Sequence, residues 1–487
     1  MNNKEEFMSR ALHLDMRRSL QIPLIYSSGF LCSLFPVPCS LFPLNFMKFI
    51  KRLIYPLLTA KLFILLLVSI LTLTGCQILP ATENKDKAIH LTFWQGVNPP
   101  PNRDVLQKLV DRFNQTHSDI QVESLYIGQP AQQIPKILAA VVGNAPPDLL
   151  WYNPTIGGQL VELNALKSLD EMLANSPVKQ DIDPNLFNLM EYKGKIWSVP
   201  FATNNLGIYY RPSLFKAAGI TELPRTWEEL RQAAKKLTRD TNGDGKIDQH
   251  GIFLPLGKTE SSVFIWLSFM WSGGGELVSG DVQQAAAVKL LDNKGAIDAL
   301  QLWRNLITDG SAVLSIPERG YETDNFIAGK VAMQITGPWT LEYIKKSIPN
   351  GDFGVFPIPV GERHATTIGG ENLFLFKTTP EREKAAFTFA EYVLSEEFQI
   401  DWALGTGYLP VNMKSRQNLR YLEYVEKQPV VKVFLEQAKY GRTRPIFPGY
   451  NRVSENIGRA LESVLLGKSE PQEAFKQSQQ RLDLIFK

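Results

Sequence analysis

The chain has 487 residues, 44% of them hydrophobic, with 52 Lys and Arg against 49 Asp and Glu. The basic excess lies in the first 75 residues, which hold eight Lys and Arg but three Asp and Glu; 44 basic and 46 acidic residues remain from Cys76 onward, which gives no argument for a nucleic-acid partner. All three cysteines (Cys32, Cys39, Cys76) fall at or before position 76, which excludes disulfides, cysteine metal ligation and cysteine catalysis from the body of the chain.

Within residues 1–46, Cys32-Ser33-Leu34-Phe35-Pro36 recurs as Cys39-Ser40-Leu41-Phe42-Pro43. This low-complexity stretch has no signal character. Translation is expected to begin at Met47, with residues 1–46 a mis-assigned extension; the alternative is a genuine disordered one. Lys48, Lys51, Arg52 and Lys61 precede the apolar run Leu62–Leu73, which closes on Leu73-Thr74-Gly75-Cys76. The run is shorter than the about 20 residues that a membrane span needs. It fits a signal core instead. Residues 47–75 resemble a bacterial lipoprotein signal. That resemblance implies cleavage before Cys76 and acylation of its side chain. The body would then be anchored to the lipid bilayer on the periplasmic or extracytoplasmic side of the cell envelope. The alternative is an uncleaved anchor helix running from Leu53. Residues 76–87 are polar and read as a tether.

The 412 residues from Cys76 to Lys487 exceed one usual core and predict two domains. Ile89, Leu91 and Phe93 alternate with polar neighbours and predict a strand. Val105, Leu106, Leu109, Val110 and Phe113 share one face of a helix over Arg103–His117. A strand opens at Ile120 and Val122, a helix covers Ile134–Val142, and Asp148–Tyr152 forms a third, buried strand. Strands alternating with helices predict parallel α/β layers. Ile196–Pro200 and Leu206–Tyr210 are strand-like, and Thr226 with Glu229 forms a capping box. A helix spans Gly295–Leu306, a strand spans Lys330–Ile335, and Ile368–Phe376 is a Gly-rich passage into an apolar strand. Long helices follow over Glu381–Leu404 and Glu455–Leu466.

Several short stretches occur together in a telling order. They include Leu91-Thr92-Phe93-Trp94, Pro147-Asp148-Leu149-Leu150-Trp151, Gly207-Ile208-Tyr209-Tyr210-Arg211, Ala332-Met333-Gln334-Ile335-Thr336-Gly337-Pro338-Trp339, Gly369-Gly370 and Gly407-Tyr408-Leu409-Pro410-Val411. From about Ala88 to Lys487 the chain resembles the extracellular solute-binding proteins of ABC importers, in their carbohydrate, maltose-binding-like branch. The resemblance implies an α/β, two-lobed periplasmic-binding-protein type II fold with a ligand cleft between lobes joined by a multi-crossing hinge. Lobe 1 would comprise residues 88–203 plus 369–408, and lobe 2 residues 204–368 plus 409–487. Ala202–Asn205 and His364–Asn372 match family crossings, with a third near Gly407–Val411. The implied function is capture of a sugar, oligosaccharide or glycosylated osmolyte by a monomer and its delivery to a membrane permease, without catalysis.

Sugar recognition needs flat aromatic faces and planar polar groups, and a site built on buried hydroxyl partners discriminates strongly. Trp94, Gln95 and Asn98 lie where the first strand ends, the position at which open α/β sheets bind ligands. By resemblance, Trp151 and Asn153 match a stacking position and its polar neighbour, and Asn204 matches a polar contact at the first crossing. Trp271, Trp339 and Glu371 match cleft positions, and Glu260, Tyr408 and Arg444 are looser matches. Trp197, Trp227, Trp266, Trp303 and Trp402 lie within regular elements and read as packing.

Asp240, Asn242, Asp244, Lys246 and Asp248 have the spacing of a calcium loop, with Gly245 at its sixth position but Gly251 where a bidentate acid belongs. A structural Ca2+ there is one expectation; a tight polar turn is the other. Gly257-Lys258-Thr259 is no phosphate loop, because Ile252 stands where its first glycine is required. A secreted carbohydrate-active enzyme and a ligand sensor for a membrane receptor are the rival functions. The chain has no Gly-x-Ser-x-Gly elbow and no His-Glu-x-x-His helix.

Overall fold

The computed structural model describes residues 88–278, 288–315 and 323–486. Cys76, the extension 1–46, the signal 47–75 and the tether 76–87 lie outside the described residues. Alternation along β1 (Ile89–Gln95) buries Leu91, Phe93 and Gln95. Helix α1 (Pro100–Thr116) turns Leu106, Leu109, Val110 and Phe113 into the same core. Next come β2 (Ile120–Tyr126), α2 (Pro130–Val142), β3 (Leu149–Tyr152) and β4 (Ser198–Pro200). The second half opens with β5 (Gly207–Tyr210), α3 (Trp227–Leu237), β6 (His250–Pro255), α4 (Glu260–Ser272) and α5 (Lys294–Thr308). It continues through β7 (Ala312–Ser315), β8 (Val331–Thr336) and β9 (Gly354–Pro357). The chain then returns to the first sheet as β10 (Asn372–Leu375), before α6 (Pro380–Leu394), α7 (Glu396–Thr406), α8 (Tyr450–Leu465) and α9 (Pro471–Ile485).

Two five-stranded sheets result, ordered β2-β1-β3-β10-β4 and β9-β5-β8-β6-β7. They share one plan. In each, three strands run parallel (β2, β1, β3 and β7, β6, β8), and the last of these pairs antiparallel with a fourth. Each sheet has its own buried core, one around Phe93, Phe113 and Phe389, the other around Trp266, Phe269 and Trp303. The expected capping box forms at α3: Thr226 Oγ1 accepts the Glu229 amide at 3.3 Å, and Glu229 accepts the Thr226 amide at 3.1 Å. Among the described residues, no helix is long and apolar enough to cross a membrane.

Three expectations need correction. The single helix expected over Glu381–Leu404 is two, because Ser395 takes an extended ψ of 153° and its hydroxyl accepts the Phe398 amide as the cap of α7. The strand expected over Ile196–Pro200 is divided at Trp197, whose indole N–H donates to the Tyr192 carbonyl at 2.9 Å. The short segment 412–416, assigned to the second lobe from sequence, is tied to the first. Asn412 pairs with Ile182, while Lys414 and Arg416 form ion pairs with Asp181 (2.9 Å) and Asp183 (2.7 Å).

The two sheets are joined by crossing segments that hydrogen-bond side by side. Thr203 and Leu409 exchange amide bonds of 3.2 and 2.9 Å, as do Asn204 and Gly369. Thr366–Thr367 pairs in turn with Gly441–Arg442. The strands approach so closely that a Cβ on Gly370 would lie 2.1 Å from the Ala202 carbonyl oxygen, and Gly370 also holds φ +115°. Gly370→Ala is therefore expected to cost about 3 kcal/mol. Chemical denaturation checks this, and an unchanged midpoint would contradict it.

Candidate functional site

A cavity lies between the two sheets, walled on one side by these crossings. It offers about 70 Å³ to the centres of water-sized molecules, within about 930 Å³ of atom-free space. The carboxyl end of β3 supplies Trp151, Tyr152 and Asn153, and that of β8 supplies Gln334, Ile335 and Thr336. Strand carboxyl ends are where α/β sheets hold ligands. The first turns of α4 add Glu260, Ser261, Phe264 and Ile265, and the crossings add Asn204, Gly369, Gly370 and Glu371. Trp339, Tyr408 and Arg444 complete the wall with Gln133 and Phe253. Asn102 of α1 reaches across and donates to the Trp339 carbonyl at 3.0 Å.

The structure thus gathers Trp151, Asn153, Asn204, Glu260, Trp339, Glu371, Tyr408 and Arg444 from the residues proposed on sequence. It does not bring Trp94, Gln95, Asn98 or Trp271 to the cavity wall. Trp94 faces away from Leu91 and Phe93 and packs against the separate cluster of Ile127, Ile137 and Leu150. Gln95 turns its carbonyl to the Val97 amide at 2.8 Å, and Asn98 donates to the Gly96 carbonyl and the Tyr126 hydroxyl, each at 3.1 Å. Trp271 is 2% exposed within the second sheet's core and borders a separate groove behind the crossings. Gln334, Thr336 and Phe264 were missed. Gln334 and Thr336 lie two apart in an otherwise apolar strand, which places both on one face.

Aromatic rings line much of the wall. The Trp339 ring centre lies 6.4 Å from that of Phe264 and 6.5 Å from that of Tyr408. Between these faces lie buried polar atoms that have no hydrogen-bond partner among the described residues. They are both amide atoms of Gln334, Asn204 Oδ1, Thr336 Oγ1, Arg444 Nε and the indole nitrogens of Trp151 and Trp339. Gln334 is 0% exposed. An unpartnered buried polar group costs about 1–3 kcal/mol, so an isolated cluster of them marks a place built for a partner.

Arg444 is held by α4. Glu260, in the first turn, takes its Nη1 at 2.5 Å, and Phe264, one turn further, lies under the guanidinium with its ring centre 4.7 Å from Cζ. Glu260 also accepts from two hydroxyls one turn apart on α8, Tyr450 at 3.3 Å and Ser454. Burial, and then the Glu260 charge, push the Tyr450 phenol well above its ordinary range, which keeps it a donor.

The loop over residues 240–248 is closed by its own hydrogen bonds. Asp240 accepts the amides of Asn242, Gly243 and Gly245, which hold its carboxyl below the usual range, the Gly245 bond foremost. Asp248 instead takes the Thr241 amide and hydroxyl. Among the described residues, no group of three or more His, Cys, Asp or Glu is placed to hold a metal ion.

The bacterial extracellular solute-binding protein family matches residues 99–400. A maltotriose-binding protein of Pyrococcus abyssi is 22% identical over 383 residues, which cover 77% of this chain and 77% of that protein. An ABC-transporter solute-binding protein of Thermotoga lettingae, solved with α-D-tagatose, matches with a TM-score of 0.74 at 24% identity, over 82% of this chain and 100% of that one. UgpB of Mycobacterium tuberculosis, solved with glycerophosphocholine, matches with a TM-score of 0.71 at 22% identity, over 82% and 98%. These similar proteins are binding proteins, and the solved ones share the two-lobed fold. The chain belongs to the family of bacterial extracellular solute-binding proteins.

Proposed function

We propose that this protein captures a neutral, polyhydroxylated solute in the cleft and delivers it to the permease of an ABC transporter. The ligand class is a sugar, a short oligosaccharide or a glycosylated osmolyte. Acylation at Cys76 would hold the protein beside its permease and raise its effective concentration there. The observation that carries the reading is Gln334, a fully buried residue on the wall of an aromatic-lined cavity, whose amide donor and acceptor have no partner among the described residues. A hydroxyl pair satisfies donor and acceptor together, and pyranose C–H faces lie against aromatic rings.

The named ligands of similar proteins divide between sugars and phosphate esters. The charge on the cavity wall favours the first. Its one arginine is bound to Glu260, and Glu371 adds a second carboxyl group. A binding role is also favoured over glycoside hydrolysis. That chemistry needs one carboxyl as proton donor. Glu260 is instead engaged in holding Arg444, Tyr450 and Ser454 together.

Thermal shift across a sugar panel, followed by calorimetry, checks the reading. The best sugar is expected to raise the melting temperature, because it binds the folded form alone, and to be released unaltered. No shift with any sugar would contradict the proposal, and so would release of a cleaved product. Gln334→Leu is expected to weaken sugar binding about 30-fold, the equivalent of about 2 kcal/mol, while the ligand-free melting temperature holds or rises.

A paired substitution separates the cleft from the core. Trp339→Ala is expected to lose more than about tenfold in affinity. Trp303→Ala, at a position 0% exposed in the second core, is expected to cost about 3–5 kcal/mol of stability while leaving affinity nearly intact. Equal losses of affinity in the two would contradict this assignment of the wall.

A further inference from the structure

The positive features of the cleft are already occupied. Among the described residues Arg444 is the one cation on the wall, and α4 directs its amino end, with its partial positive charge, toward the same place. Both would attract a phosphate. Glu260, itself in that first turn, meets the arginine: one oxygen binds Arg444 and receives Tyr450, and the other receives Ser454. Phe264 covers the guanidinium face. An incoming anion would have to displace a carboxylate supported on several sides, with Glu371 adding repulsion nearby.

We infer that Glu260 is a specificity-determining residue that bars phosphate-bearing solutes from the cleft by acting as a built-in anion on Arg444 and the α4 amino end. The inference rests on the reading of this cavity as the ligand site. It divides the ligands named for similar proteins: those with a sugar remain open to this chain, and those with a phosphate ester do not. The loop before α4, Gly257-Lys258-Thr259, fits this account, since its lysine faces Glu462 on α8 (3.7 Å) rather than the cavity.

The test uses the whole folded protein, with glycerol 3-phosphate and inorganic phosphate as probes, by thermal shift and calorimetry. Millimolar glycerol 3-phosphate is expected to leave the wild-type melting temperature within about 1 °C. Glu260→Gln keeps the shape and an acceptor for Arg444 but removes the charge. It is expected to bind glycerol 3-phosphate at least about tenfold more tightly than wild type. The gain is expected to vanish in Glu260→Gln/Arg444→Gln. A phosphate-induced shift in wild type would overturn the inference, as would a folded E260Q without the gain, or a gain that survives in the double variant. Should E260Q not fold, the wild-type measurement decides alone. A wild type that binds no sugar defeats the proposed function instead and leaves these phosphate measurements readable.

Discussion

The lobes and the cleft depend on one constraint, the side-by-side hydrogen bonding of the crossing segments. Thr203 with Leu409, and Asn204 with Gly369, tie separate passages of the chain into a narrow ladder between the sheets. Glycine at 370 is what lets those backbones approach, and glycine at 369 leaves room for the Asn204 and Phe264 side chains. The same ladder forms one wall of the cavity, so the element that joins the lobes also presents Asn204, Glu371 and Tyr408 to a ligand.

On that frame the site trades stability for recognition. Buried polar atoms are paired almost everywhere in folded proteins, and each exception carries a cost. Here several such exceptions belong to residues of β8, the crossings and Arg444 that share the cavity wall. A ligand that supplies the missing partners recovers the cost, and one that lacks a matching hydroxyl does not. Charge works in the opposite sense. Arg444 already pairs through Nη1 with Glu260, which meets its charge and leaves Nε for a neutral acceptor, so selection falls to hydroxyl geometry rather than to ionic attraction.

Much of this was legible in the sequence. Trp339 stands at an element end beside Gly and Pro and reaches the cavity wall, as do Asn204 and Glu371, which the family resemblance pointed to. The first three strands follow from alternation and from Pro146-Pro147. Trp271 misled because α4 is apolar on all sides and ends in Gly273-Gly274-Gly275, which reads as a surface turn. That turn is packed so tightly that a Cβ on Gly275 would lie 2.6 Å from Asn293 and 2.9 Å from Met270. Trp94 misled because its neighbours set it on the opposite face of β1. Gln334 was missed because a strand buried on both faces shows no polar alternation; its pairing with Thr336 two residues on was the available signal. The Glu260–Arg444 contact joins residues 184 apart, a distance over which sequence spacing carries no information.

The most direct test of the central claim is a crystal structure of the wild-type protein with the sugar that stabilises it most. The account predicts a sugar between Trp339 and the crossings, with hydroxyls about 3 Å from both Gln334 Oε1 and Nε2, and Glu260 still on Arg444. A ligand bound outside this cavity would contradict it. So would a ligand that leaves Gln334 unpaired while Arg444 turns from Glu260 to meet it.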